Sequence, residues 1–271
     1  MDPTWNPWHG CKKYSEGCEN CYMYYLDARY EKDGSQIYKV KSSFNLPLKK
    51  TRDGQYKVKS GEQLLVCMTS DFFIEEADEW RDDIWQMIRL RPDVTFWLQT
   101  KRIHNVKERL PWDWGEGWKN VRFCVTAENQ KRVEERIPIL LELPFQYKAV
   151  MCAPILSAID LKPYLKTGQI KHVLADGENY EGTRPCHYEW IKSLYEQCKQ
   201  HEVRFQWIGT GNVFVKENKT YHICKAYQQI QAKLSGLQYP PEDTSHLRIQ
   251  KRCATCARRN SCNGCKNCGK C

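Results

Sequence analysis

The chain has 271 residues, 15 of them cysteine, and a formal net charge of +9. Neither a basic leader with an apolar stretch nor any run long enough to cross a bilayer is present, which sets aside a membrane protein and a secreted disulfide scaffold and predicts a cytoplasmic one. From Arg248 onward there are seven basic residues and no acid, leaving 35 basic against 33 acidic residues before it, so the body is almost neutral and the excess charge belongs to the tail.

The first segment with chemical content is Cys11-x6-Cys18-x2-Cys21. Extended, its x6 portion would span about 23 Å at ~3.3 Å per residue, so it has to fold back, and Ser15-Glu16-Gly17 supplies a turn just before Cys18. Three thiolates can belong to a structural zinc site with His9 as fourth ligand, or to a [4Fe–4S] cluster that keeps one iron open for a small molecule. Spacing alone leaves both readings standing. Residues 31–62 follow as a Lys-rich insertion with a turn at Asp53-Gly54.

Beyond the insertion, apolar runs predict strands at 64–68, 95–99, 121–125, 149–152, 172–175 and 203–208. Helical periodicity predicts helices at 78–90, 131–143, 187–200 and 221–234. Such alternation implies parallel strands with crossover helices, and the fold class expected is α/β: a partial or full TIM-like (β/α) barrel over residues 1–240, followed by a cysteine-rich tail over 241–271. In a barrel the reactive rim lies just past the strand C-termini. The rim residues are Ser70 and Asp71; Thr100, Lys101 and Arg102; Glu128 and Asn129; and Asp176 and Glu178, followed by Arg184. Helix capping is the plain alternative for any one of them, and Lys101 and Arg102 can equally be surface charges at a helix start. The WDWGEGW segment at 112–118 is expected to be a loop whose tryptophans pack on the body. Cys67, Cys124 and Cys152 fall in strands and read as small buried hydrophobes, while Cys186, Cys198 and Cys224 stay open as further metal ligands.

The opening TWNPWHGCKKYSEGCENCY, together with Thr100-Lys101-Arg102, Glu128-Asn129-Gln130, Gly177-Glu178 and Arg184-Pro185, resembles a phage-associated three-cysteine-motif family over about residues 4–210. That family is similar to radical S-adenosylmethionine enzymes. The resemblance implies a [4Fe–4S] cluster on Cys11, Cys18 and Cys21 that binds S-adenosylmethionine (SAM), an electron donor such as flavodoxin or ferredoxin, and a 5′-deoxyadenosyl radical that abstracts hydrogen. Ser70, Asp71, Thr100, Glu128, Asn129 and Asp176 would then bind the cofactor, with Lys101, Glu178 and Arg184 at the reaction. The chain departs from the familiar pattern in its x6 spacing, in Asp176-Gly177-Glu178-Asn179 where Gly-Gly-Glu-Ser is common, in Ala153-Pro154 where Glu-Pro is frequent, and in lacking Lys-Gln at Phe205-Gln206-Trp207-Ile208.

In the tail, Cys253, Cys256, Cys262, Cys265, Cys268 and Cys271 are mostly x2-spaced, with Gly264 and Gly269 between them. Six thiols exceed one zinc and suit one auxiliary [4Fe–4S] cluster, or two with ligands from the body. The expected function is therefore a radical SAM enzyme acting on a nucleotide, a nucleic acid or a peptide. The rival readings are a non-catalytic zinc-containing nucleic-acid-binding protein and an iron–sulfur electron carrier.

Overall fold

A computed structural model describes residues 2–180 and 182–247, so the six tail cysteines lie outside the described residues. The architecture is mixed α/β around one large sheet. Its strands are β1 (Thr4–Trp5), β2 (Gln63–Val66), β3 (Thr95–Thr100), β4 (Val121–Thr126), β5 (Lys148–Cys152), β6 (Ile170–Asp176), β7 (Arg204–Gly209) and β8 (Gln238–Tyr239). They hydrogen-bond in strict chain order from β1 to β8. The pairs β1–β2, β2–β3, β3–β4 and β6–β7 are parallel, and β8 closes the edge antiparallel to β7. A parallel sheet needs crossovers on its faces; α2 (Asp78–Leu90), α3 (Gln130–Glu142) and α5 (Tyr188–Gln200) supply them where periodicity predicts, and the short α4 (Lys162–Leu165) lies between β5 and β6.

The chain divides into two compact units, residues 1–126 with 134–150, and 127–133 with the remainder. In the first, α2 buries Arg81, Ile84, Trp85 and Ile88 on one stripe, and Asp78 and Glu79 in its first turn with Arg89 in its last complement the helix dipole. Trp114 and Trp118 pack on Trp85, with ring centroids 5.3 and 5.8 Å from it. Trp112 does not join them: it is 91% exposed, against the expectation for this loop. The insertion makes the expected hairpin, with Lys50 bridged to Tyr56 and Gly54 at positive φ in the turn.

In the second unit, β6 and β7 pair from His172 with Arg204 onward, with a bulge before Gly209. A helix over 221–234 is expected, but α6 starts only at Lys225 (Lys225–Leu234). Glu217 and Asn218, both at positive φ, form a two-residue hairpin loop that draws Lys219–His222 into a strand against Val213–Lys216. Gly177 and Gly211 let the segments after β6 and β7 touch. A Cβ on Gly177 would stand 2.5 Å from the Thr210 carbonyl oxygen, and one on Gly211 2.8 Å from that of Glu178. Gly177→Ala is therefore expected to destabilise the fold by about 2 kcal/mol or more, read as a lower urea midpoint at unchanged slope.

Candidate functional site

In the first unit the rim beyond β2 and β3 is organised by a buried carboxylate. Asp71, 6% exposed, accepts hydrogen bonds from Thr100 Oγ1 (2.7 Å), Lys101 N (2.9 Å) and Phe73 N (2.9 Å). Arg102, 4% exposed, adds Nη1 at 3.4 Å from Asp71 Oδ2. The same guanidinium donates from Nη2 to the Lys12 carbonyl (2.7 Å) and sets Nη1 3.9 Å from Cys11 Sγ. Burial acts to lower the Arg102 pKa, but the charges of Asp71, Cys11 and Glu75 outweigh it and the pKa is raised. Arg102 is thus a buried cation facing the first cysteine, not a surface charge. Lys101, the neighbour expected at the reaction, is half-buried and meets Asp71 through its backbone N–H.

The cysteine loop is tied down along its backbone. Gly10 N donates to Thr69 O (3.2 Å), the Ser70 hydroxyl returns a bond to Gly10 O, and Cys11 N donates to Gly34 O (2.9 Å). Gly10 sits at φ +88° against the Gln36 backbone, where no Cβ fits. The predicted turn forms, with Cys18 N donating to Ser15 O (2.8 Å), and Cys21 precedes α1 (Tyr22–Ala28). Burial pushes the Cys11 thiol up to about 12; Asp71, Cys18 and Cys21 push the same way and Arg102 opposes them. A thiol so placed is protonated at neutral pH, and a metal ion would have to displace that proton to bind it. Tyr24, whose hydroxyl donates to the Cys11 carbonyl, is raised to about 12 by burial and then by the three thiols. His9, the one fourth ligand the sequence offers, is held by Asp27 at 2.7 Å.

Three cysteines on one loop supply the donor chemistry of a thiolate-bound group. As they stand, no three His, Cys, Asp or Glu side chains among the described residues are gathered on one point to hold a metal ion.

In the second unit Glu178 is buried and its carboxylate receives Arg184 through the backbone N–H (2.7 Å), Nε (3.1 Å) and Nη2. Glu178 thus holds Arg184, whose side chain is 30% exposed. Asn129 is a helix cap, its Oδ1 accepting from Arg132 N at 3.0 Å as α3 begins. Glu128 is fully buried and its carbonyl accepts from Leu156 N (2.8 Å). Asp176, at the end of β6, has Oδ1 buried without a hydrogen-bond partner, and Gln228 Oε1 is in the same condition. Desolvation raises the Asp176 carboxyl to about 7, against the lowering effects of Lys225 and the Gly177 N–H.

Ser70, Asp71, Thr100, Lys101 and the N-terminal cysteines thus belong to the first unit, and Glu128, Asn129, Asp176, Glu178 and Arg184 to the second. Cys124 and Cys152 are buried in strands as expected, and Cys67 is buried one residue past β2. Cys186 and Cys198 are also fully buried, and burial drives their thiol pKa values upward, while Cys224 is partly exposed before α6.

Two outcomes follow. Arg102→Met, which leaves Asp71 without its cation, is expected to lose about 3 kcal/mol in urea denaturation, and Arg102→Lys should recover only part because one ammonium cannot replace the fork. For Asp176, the unfolded carboxyl titrates near 3.8 and the folded one near 7. Between those values the folded state keeps a proton that the unfolded state has lost, so stability falls as pH rises through the window. Asp176→Asn should therefore gain stability over the parent at pH 8 by at least about 1 kcal/mol, and gain less at pH 5.

No curated protein and no solved structure matches the chain. A family profile does, described as a protein of unknown function (DUF5131), over residues 1–240, which takes in every strand of the large sheet. On that match the chain belongs to the DUF5131 family.

Proposed function

We propose that the chain is a radical SAM enzyme whose [4Fe–4S] cluster is held by Cys11, Cys18 and Cys21, and whose chain-ordered sheet is an open form of the β/α barrel. The observation that carries the reading is the loop bearing Cys11, Cys18 and Cys21, tied to the rim of a parallel sheet by Gly10 N on Thr69 O and by Arg102 Nη2 on Lys12 O. Held by Cys11, Cys18 and Cys21, such a cluster would supply the single electron that cleaves the sulfonium of SAM to methionine and a 5′-deoxyadenosyl radical.

The residues would divide the work as follows. Arg102 sets positive charge beside Cys11 Sγ and opposes the burial that favours the protonated thiol. Ser70, Asp71 and Thr100 keep the loops after β2 and β3 in register with the cysteine loop, and Lys101 offers an ammonium at the same rim. Glu128, Asn129 and Asp176 serve the cofactor, with Asp176 able to hold or release a proton near neutral pH. Arg184, oriented by Glu178, supplies the guanidinium that meets an anionic group. Cys253, Cys256, Cys262, Cys265, Cys268 and Cys271 ligate at least one auxiliary cluster, and flavodoxin or ferredoxin donates the electron. The substrate is a nucleotide, a nucleic acid or a peptide.

Anaerobic reconstitution should give a brown protein with iron and acid-labile sulfide in equal amount, about eight irons per chain with both clusters present and about four without the tail cysteines. Dithionite and SAM should then release 5′-deoxyadenosine. Cys18→Ala should abolish the release while retaining the tail's share of iron. Zinc without sulfide, and SAM recovered intact, would replace this reading with the zinc-binding one.

A further inference from the structure

Between Ile37 and Ser60 the sequence has seven basic residues and one acid, Asp53, a net +6 inside a body that sums to only +2 over residues 1–247. Most of these charges sit on the hairpin of the insertion. Thr51 N donates to Gln55 O and Lys57 N to Lys49 O, both at 2.8 Å. Lys41, Lys50, Arg52, Lys57 and Lys59 are exposed, and none is ion-paired among the described residues. Elsewhere in the unit arginines are matched to acids, as in Arg89 with Asp113 and Arg109 with Asp78.

The base of this hairpin is fixed from beneath. Arg91, 1% exposed, donates to the carbonyl of Pro47 on one arm and to that of Val58 on the other (2.8 Å). It is itself held by both oxygens of Asp93, each at 2.8 Å, and its guanidinium lies 4.0 Å from the Tyr56 ring. Trp5 Nε1 secures the preceding turn through the Ser43 and Phe44 carbonyls, each at 3.1 Å. Cations on adjacent arms of a two-stranded hairpin repel and oppose folding, and among the described residues no carboxylate forms an ion pair with them. A rigid frame that keeps such charges together needs little ordering when it meets a polyanion.

We propose that the hairpin at residues 49–59 is a docking element for nucleic acid, contacting the phosphate backbone and therefore indifferent to sequence. An anionic lipid surface is the weaker fit, because insertion needs exposed apolar side chains and here Pro47 and Val58 are buried, leaving Tyr56 alone. The inference rests on the charge and geometry of the hairpin and not on the iron–sulfur reading.

The test is fluorescence anisotropy of the full chain with a short labelled oligonucleotide, single-stranded and duplex, across a salt series. The triple variant Lys50→Glu, Arg52→Glu, Lys57→Glu is compared with its glutamine counterpart, which removes charge without adding repulsion, and melting curves verify that both fold. With the basic tail intact in every protein, the glutamine variant is expected to bind at least tenfold more weakly and to lower the slope of log affinity against log salt by about three. Unchanged affinity and slope would assign binding to the tail and overturn the proposal. So would binding to phosphatidylserine vesicles without binding to oligonucleotide, or no binding by the parent protein to either. Release of 5′-deoxyadenosine by the variants in the absence of nucleic acid reports on the cluster separately, so either reading can fail alone.

Discussion

A carboxylate taken out of water has to be met by donors, and in the first unit the carboxylate of Asp71 is met by four: a threonine hydroxyl, two backbone amides and a guanidinium. That one requirement joins the loop after β2 to the end of β3 and decides where Arg102 points. Arg102 in turn fixes the backbone at Lys12, so the cysteine loop, which has little regular structure of its own, inherits its position from a charge buried beneath it. The chemistry of Cys11 is then a balance between desolvation and that guanidinium. Without the cation, only influences that raise the thiol pKa would remain: burial first, then Asp71, Cys18 and Cys21.

The second unit solves a similar problem by different means. There the approach of two loops is made by glycines where side chains would collide, and the buried Glu178 is satisfied by an arginine six residues further on. Asp176 is the exception, a carboxyl whose Oδ1 has no partner and whose titration is displaced to about 7 by desolvation. Polar groups left unsatisfied inside a packed unit oppose folding and are concentrated at functional positions in proteins generally.

What could be read from the sequence was whatever is encoded locally and repeated. The helix at 78–90 carries its apolar stripe, its acidic start and Pro92 after its end in one continuous stretch, and the structure gives those bounds. The six central strands stand within two residues of expectation at most ends because each is a compact apolar run. The edge strands Thr4–Trp5 and Gln238–Tyr239 have two residues each, too short for any period to register. The strand at Lys219–His222 was hidden by helix-forming neighbours and revealed only by the conformation of Glu217 and Asn218. At the candidate site, the cysteines and the polar rim were legible because residue type and spacing suffice to mark them. The burial of Arg102 was not, since a lysine–arginine pair after a strand looks the same whether the arginine turns outward or toward a carboxylate 31 positions earlier. The division of labour between Glu178 and Arg184 was foreseeable only in part, because spacing can place two charges together without saying which orients the other.

The two ends of the large sheet have a bearing on how the protein survives at high concentration. A long exposed edge strand offers a ladder of unpaired amides and carbonyls to which a second chain can add. Here one edge is the two-residue β1 and the other is β8, equally short. Beside β8, the carboxamide of Gln238 accepts from Trp207 N (3.1 Å) and donates to Trp207 O (3.0 Å), so a side chain satisfies backbone groups that an incoming strand would otherwise use. Among the described residues, each border of this sheet therefore offers an incoming chain a strand of only two residues.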